Sequence, residues 1–117
     1  MVPRVRAIAI DCNDLEVQAA FWSALLGMKV TERGERWWEL EPVSPDGPVL
    51  CLQKVPEGKA VKNRLHLDLH VPDFESAGER GRELGATYHW SPEEGGDFQV
   101  WLDPEGNEFC FVVPEEN

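Results

Sequence analysis

Positive charge is scarce in this 117-residue chain: 11 Lys and Arg stand against 22 Asp and Glu, a formal net charge of −11. A surface of that sign repels phosphate backbones, so nucleic acid is not expected as a partner. It suits a cationic small molecule, or an acidic surface kept in solution. Long apolar runs are missing as well. No stretch approaches the roughly 18–20 apolar residues that span a bilayer, and no membrane partner is expected. The opening MVPRVRAIAIDC lacks an apolar run ending at a small-residue cleavage site, so no secretory leader is expected. Cysteine is sparse, with Cys12, Cys51 and Cys110 odd in number and widely spaced. Such spacing reads as reduced thiols in a cytoplasmic protein rather than as a disulfide framework. A chain of this length fits one domain with a modest core.

What the chain has is an internal repeat. IAIDCNDLEVQAAFWSALLG, from Ile8, parallels LDLHVPDFESAGERGRELG, from Leu67. Asp14 and Asp73, Glu16 and Glu75, Leu25 and Leu84, Gly47 and Gly106, and Cys51 and Cys110 all stand 59 residues apart. One offset across a whole segment points to two copies of one unit. Module 1–53 and module 64–117 are joined by the polar linker KVPEGKAVKN, 54–63.

Each copy predicts the same elements. Alternating apolar residues suggest a first strand around Val5, Ile8 and Ile10, and a cleaner one through Leu65, Leu67, Leu69 and Val71. Asn13 and Asp73 are candidate helix caps, to within a residue. The first helix carries Leu15, Ala19, Phe21, Trp22, Leu25 and Leu26 and stops at Gly27. Its counterpart runs from about Phe74 through Leu84 and stops at Gly85. Three strands follow each helix: Lys29–Arg33, Trp37–Glu41 and Val49–Gln53 in the first copy; Thr87–Trp90, Phe98–Leu102 and Glu108–Val113 in the second. The fold class is α+β, built from two tandem β-α-β-β-β modules.

The duplicated modules, with RLHLDLHVPDFESA, ELGAT and DPEGNEFCF, resemble the vicinal-oxygen-chelate superfamily of glyoxalase I, extradiol dioxygenases, and bleomycin and fosfomycin resistance proteins. The resemblance covers nearly the whole chain and is strongest to small glyoxalase-like domains. It implies sheets curled into a cup around a ligand cavity, with the helices outside.

Strand alternation then selects the residues that face the cup. With Leu65, Leu67, Leu69 and Val71 beneath the helix, His66 and Asp68 point the other way. With Phe109 and Phe111 in the core, Glu108, Cys110 and Val112 face inward. In the first module Val49, Cys51 and Gln53 do the same, beside Ala7, Ala9 and Asp11. Trp101 is expected in the cup, and one of Trp37 and Trp38 must face it. The expected ligand-binding set is therefore His66, Asp68, Cys110, Cys51, Gln53, Trp101, Trp38 and Trp37. Aromatic walls of this kind hold planar or cationic ligands. The surplus of tryptophan also suits a homodimer contact.

The resemblance further implies four metal-ligand positions, which fall on Ala7, Cys51, His66 and Cys110. Only the histidine is of the usual type. A carboxylate at Cys110 would grip a hard divalent ion, and its absence argues against Mn²⁺, Mg²⁺ or Fe²⁺. No metal and no cofactor are therefore expected. The leading expectation is a small organic molecule bound in the cup without the usual divalent metal. The alternatives are a lyase- or isomerase-type enzyme with His66 as acid or base, a zinc site on Cys51, His66 and Cys110, and an interaction or regulatory module whose cup is filled by side chains.

Overall fold

Each module folds as a four-stranded sheet with one helix against it. A computed structural model of the chain describes residues 1–92 and 96–114; residues 93–95, and 115–117 at the end of the expected second module, lie outside the described residues. The chain divides into a first unit, Met1–Gly58, and a second, Lys59–Asn117. The first contains β1 (Ala7–Cys12), α1 (Leu15–Leu26), β2 (Val30–Arg33), β3 (Trp37–Pro42) and β4 (Val49–Lys54). The second contains β5 (Asp68–His70), α2 (Phe74–Leu84), β6 (Thr87–Trp90), β7 (Phe98–Leu102) and β8 (Glu108–Val112). The sheet orders, β1-β4-β3-β2 and β5-β8-β7-β6, are the same order repeated. In each sheet the first strand pairs parallel with the last, and the remaining pairs are antiparallel. The α+β class and the tandem modules expected from the 59-residue offset are what the chain adopts. Among the described residues no helix is long and apolar enough to cross a membrane.

Both helices begin and end as their sequences direct. The Asp14 carboxylate accepts from the Val17 amide, and Asp73 from the Ser76 amide and hydroxyl, satisfying donors that a helix start leaves unpaired. Asp14, not Asn13, is thus the cap of α1. Asn13 instead donates its side-chain amide to the carbonyls of Val55 and Glu57. Gly27 and Gly85 close the helices at φ of 65° and 112°, the left-handed region in which a Cβ is strained.

The helices pack differently. In α1, buried Leu15, Ala19, Phe21 and Trp22 form the apolar face, and Leu40, Leu50 and Leu52 are fully buried in the same unit. The sequence FESAGERGREL offers α2 few apolar side chains, so glycines bring its backbone close to the sheet. A Cβ at Gly78 would stand 3.1 Å from the Trp101 ring, and one at Gly81 would stand 3.6 Å from Phe111. The core of the second unit is therefore aromatic: Trp101, Phe109 and Phe111 are each about 1% exposed.

The first strand of the second unit is shorter than its alternation predicts. β5 pairs with β8 only through Asp68, Leu69 and His70, and Leu65 is 86% exposed rather than packed beneath α2. Upstream of the ladder Asn63 engages β8 instead: its backbone amide reaches the Glu108 carboxylate at 3.1 Å, and its side chain reaches the Glu108 carbonyl at 3.2 Å. Lys59 Nζ completes this tie, 2.9 Å from Glu108 Oε1.

The tie makes a pH prediction. Burial alone pushes the Glu108 carboxyl up, but the hydrogen bonds from Lys59 and Asn63 and the Lys59 charge outweigh it, and the net shift is downward from 4.5. A depressed carboxylate contributes its stability in full above the unfolded-state value and loses it as pH falls through the folded one. Glu108→Gln is therefore expected to cost about 1–2 kcal/mol at neutral pH, with the difference from the parent fading below about pH 4.5. Urea titrations of both proteins at several pH values check this; a pH-independent difference would contradict it.

Candidate functional site

The second unit carries a cleft of about 570 Å³ on the face of its sheet away from α2. Register decides what lines it. Directly opposed residues share a face, and Asp68 pairs with Cys110, which in turn pairs with Val100 across β7. Phe98 pairs with Val112 in the same way. These five side chains all line the cleft, with Glu108 at one end and Lys62 and His66 beside β5.

Trp101 is not among them. It pairs with Phe109, so it points toward α2, where its ring meets Phe111 at 5.6 Å and Arg82 lies 4.9 Å over its face. Its indole N–H donates to Gln99 Oε1 at 3.1 Å. The expected place of Trp101 in the cup is thus corrected. The cause is the turn Asp103–Asn107, whose length sets Leu102 opposite Glu108. Once Glu108 faces the cleft, Leu102 and Val100 must share its face and Trp101 must lie on the other. In the first unit Glu39 takes the place of Val100 opposite the equivalent cysteine, so Leu40 is the counterpart of Trp101. The repeat spacing has lengthened by two residues there.

The aromatic wall comes from Trp90 and Phe98, whose rings lie 6.0 Å apart at 53°. Simple alternation would turn Trp90 inward with Tyr88, which stacks edge-on against Trp101 at 5.7 Å. A register shift between Tyr88 and Trp90 intervenes, so Tyr88 opposes Trp101 while Trp90 opposes Val100. A bulge of this kind re-aims the following side chain. It brings His89 and Trp90 both to the cleft. Neither residue is in the expected ligand-binding set, because no residue pattern in TYHW announces the bulge.

The polar end of the cleft is a trio. His66 Nε2 lies 3.1 Å from Asp68 Oδ1, both side chains being open to solvent. One donor atom each from His66, Asp68 and Cys110 lie within 4.8 Å of one another. Burial is the main cause of an upward shift of the Cys110 thiol, and the Asp68 charge and hydrogen bond add to it. A thiol held protonated is a poor nucleophile at neutral pH.

The remaining expected residues belong to the first unit. Ala9, Cys51 and Glu39 are consecutive cross-strand partners, as are Asp11, Gln53 and Trp37, so Cys51, Gln53 and Trp37 share one face. Cys51 is fully buried, and burial, then the Glu39 charge, pushes its thiol up. Trp37 donates to Glu39 Oε2 at 2.8 Å, with Arg6 3.2 Å from the same oxygen. Trp38 opposes Leu52 on the other face, gives its N–H to the Gly34 carbonyl, and carries Arg33 over its ring. Of the adjacent pair, Trp37 is the one that shares the cysteine's face.

Residues 7–112 match the glyoxalase-like domain family. The chain belongs to that family. Across 95% of its length this glyoxalase-like domain is 30% identical to glyoxalase domain-containing protein 4 of Rattus norvegicus, of which it spans only 41%. Its fold is shared with a glyoxalase/bleomycin resistance protein/dioxygenase family enzyme from Burkholderia phytofirmans, at a TM-score of 0.75 and 18% identity, covering 95% of this chain and 98% of that one. A fosfomycin resistance protein from Mesorhizobium loti gives a TM-score of 0.74 at 14% identity, covering 98% and 95%. These likenesses establish the vicinal-oxygen-chelate fold.

The divalent metal that this superfamily implies can be tested against the donors present. Ala7 offers no ligand atom, and both Cys51 and Cys110 are thiols that burial holds protonated. Hard, oxygen-seeking cations require carboxylate, carbonyl or imidazole donors. Taken unit by unit, Ala7 with Cys51 and His66 with Cys110 do not supply the donors such an ion requires.

Proposed function

We propose that this glyoxalase-like domain binds a small aromatic, cationic molecule in the cleft of its second unit, without the oxygen-ligated metal of its superfamily. The observation that carries the reading is the cleft itself. It has the size and the mix of apolar wall and few polar groups typical of small-molecule sites. Trp90 and Phe98 supply a surface for stacking, while His66 and Asp68 supply anchors for orientation. Glu108 is neutralised by Lys59, and Asp68 and Asp97 against Lys62 leave the cleft lining with one net negative charge, of the same sign as the chain's net charge of −11. Cation–π attraction at Trp90 acts in the same direction.

The test is a fluorescence and thermal-shift screen of cationic and neutral aromatic compounds against the parent and Trp90→Ala. Trp90 is 53% exposed, so its removal leaves the fold intact. The expected result is preferential binding of cations and a loss of about 1–3 kcal/mol in affinity on removing the indole. Equal binding by Trp90→Ala, or no binding at all, would overturn the proposal.

The 3.1 Å His66–Asp68 contact favours one second reading, in which His66 exchanges a proton with a bound carbonyl compound and Asp68 orients the ring. Turnover of a cleft ligand that is abolished in His66→Gln, with binding retained, would promote that reading.

A further inference from the structure

We propose that the cleft selects its ligand from two ends: the favoured class is an aromatic cation carrying a carboxylate on a short chain, with Asp97 selecting the cationic head and Lys62 the carboxylate tail. This deepens the ligand-binding reading and rests on it.

Position along β8 separates the two residues. Lys62 precedes Asn63, whose backbone amide and side chain hold Glu108 at the start of that strand. Asp97 lies at the other end, where its carbonyl accepts from the Val113 amide just past β8. Glu108 and Val113 stand five residues apart in sequence, about 17 Å of extended chain. Lys62 and Asp97 both line the cleft and are exposed, so a ligand lying along β8 meets one at each end.

Charge is divided unevenly between those ends. Toward Lys62 it balances: Glu108 is matched by Lys59, and Lys62 offsets the charge of Asp68, which lies 3.1 Å from His66 Nε2. Both carboxylates there have partners. Lys62 has no ion pair among the described residues, so its ammonium is the group left to meet an acceptor on the ligand. Asp97 likewise has no ion pair among the described residues. It adjoins Phe98 in the chain, at the wall that Phe98 forms with Trp90, so the surplus negative charge of the lining sits beside the aromatic surface. A cation stacked there gains both the ring faces and the carboxylate. A neutral aromatic gains only the rings, and a cation without a tail leaves Lys62 unused.

Three probes are titrated into the full chain at low ionic strength: benzamidine, 4-(4-amidinophenyl)butanoate, and the methyl ester of that acid. Acid and ester share the cationic head and the chain and differ in the charge of the tail. The parent should bind the acid about threefold or more tighter than the ester, the scale of an exposed ion pair, and added salt should narrow the gap. Lys62→Met should bring the acid to the level of the ester, and Lys62→Arg should keep the preference. Asp97→Asn should weaken all three probes by a common factor of about threefold or more, with the acid-to-ester ratio preserved. Both positions are exposed, so these variants leave the core untouched. Equal parental affinity for acid and ester, or an acid preference that survives Lys62→Met, would overturn the role of Lys62. Parental benzamidine affinity in Asp97→Asn would overturn the role of Asp97. In either case, benzamidine binding that is lost in Trp90→Ala would leave the ligand-binding reading standing, whereas failure of all three probes to bind the parent would overturn both.

Discussion

Trp101→Ala is expected to destabilise the protein by about 3–5 kcal/mol, the cost of removing a large aromatic side chain from a packed core. The indole is 1% exposed. It packs on the α2 backbone at Gly78, on Phe111, and edge-on against Tyr88. Gly78 has no side chain with which to collapse into the vacated volume, so the cavity persists and the cost stays high. Arg82 would also lose the ring over which it lies. Urea unfolding measures the effect directly, and Trp101→Phe should recover part of it by refilling the contact with Phe111. Near-parental stability with abolished ligand binding would return Trp101 to the ligand wall.

The second large effect is expected at Asp103, the first residue of the DPEGN turn. Its carboxylate is buried and accepts from the backbone amides of Glu105 and Asn107 at 2.9 and 3.0 Å. The Asn107 side chain donates to it as well, at 3.0 Å to Oδ2. Gly106, at φ 88°, lets the chain turn back so that the Asp103 amide meets the Asn107 carbonyl. Asp103→Ala strands these donors and is expected to cost about 2–4 kcal/mol, since hydrogen bonds to a charged group contribute about 1.5–3 kcal/mol and buried unmet donors add a penalty. Because this turn sets the register of β7 on β8, the variant should also loosen the cleft and lower ligand affinity. Asp103→Asn keeps one acceptor oxygen and should recover part of the stability. An unfolding curve for Asp103→Ala that overlays the parent would refute this account of the turn.

These two residues also mark how far the sequence could be read. Helix starts and stops were legible at Asp73, Gly27 and Gly85, because capping chemistry acts over three or four residues. The strand limits at Thr87–Trp90 and Phe98–Leu102 were legible from alternation and flanking turn residues. On β8, Phe109 and Phe111 lie in the core and Cys110 lines the cleft, the alternation that two apolar aromatics flanking a cysteine encode. Trp101 was placed on the wrong face because alternation fixes which residues share a face, not which face they share. That choice depends on pairing across the Asp103–Asn107 turn. Trp90 was missed because a bulge changes the parity of a strand without leaving a sequence signature. The truncated β5 reflects the competing tie of Asn63 and Lys59 to Glu108, a contact across 45 or more residues that no local pattern encodes.

The central claim is that a ligand stacks in the cleft of the second unit against Trp90, and the indole N–H signals of the five tryptophans test it most directly. With each signal assigned by substitution, a cationic aromatic compound from the screen is titrated into labelled protein. The Trp90 signal should move saturably, together with the backbone signals of Asp68 and Cys110, while Trp22 and Trp101 in the two cores stay in place. A saturable shift at other tryptophans with Trp90 unmoved would contradict the claim.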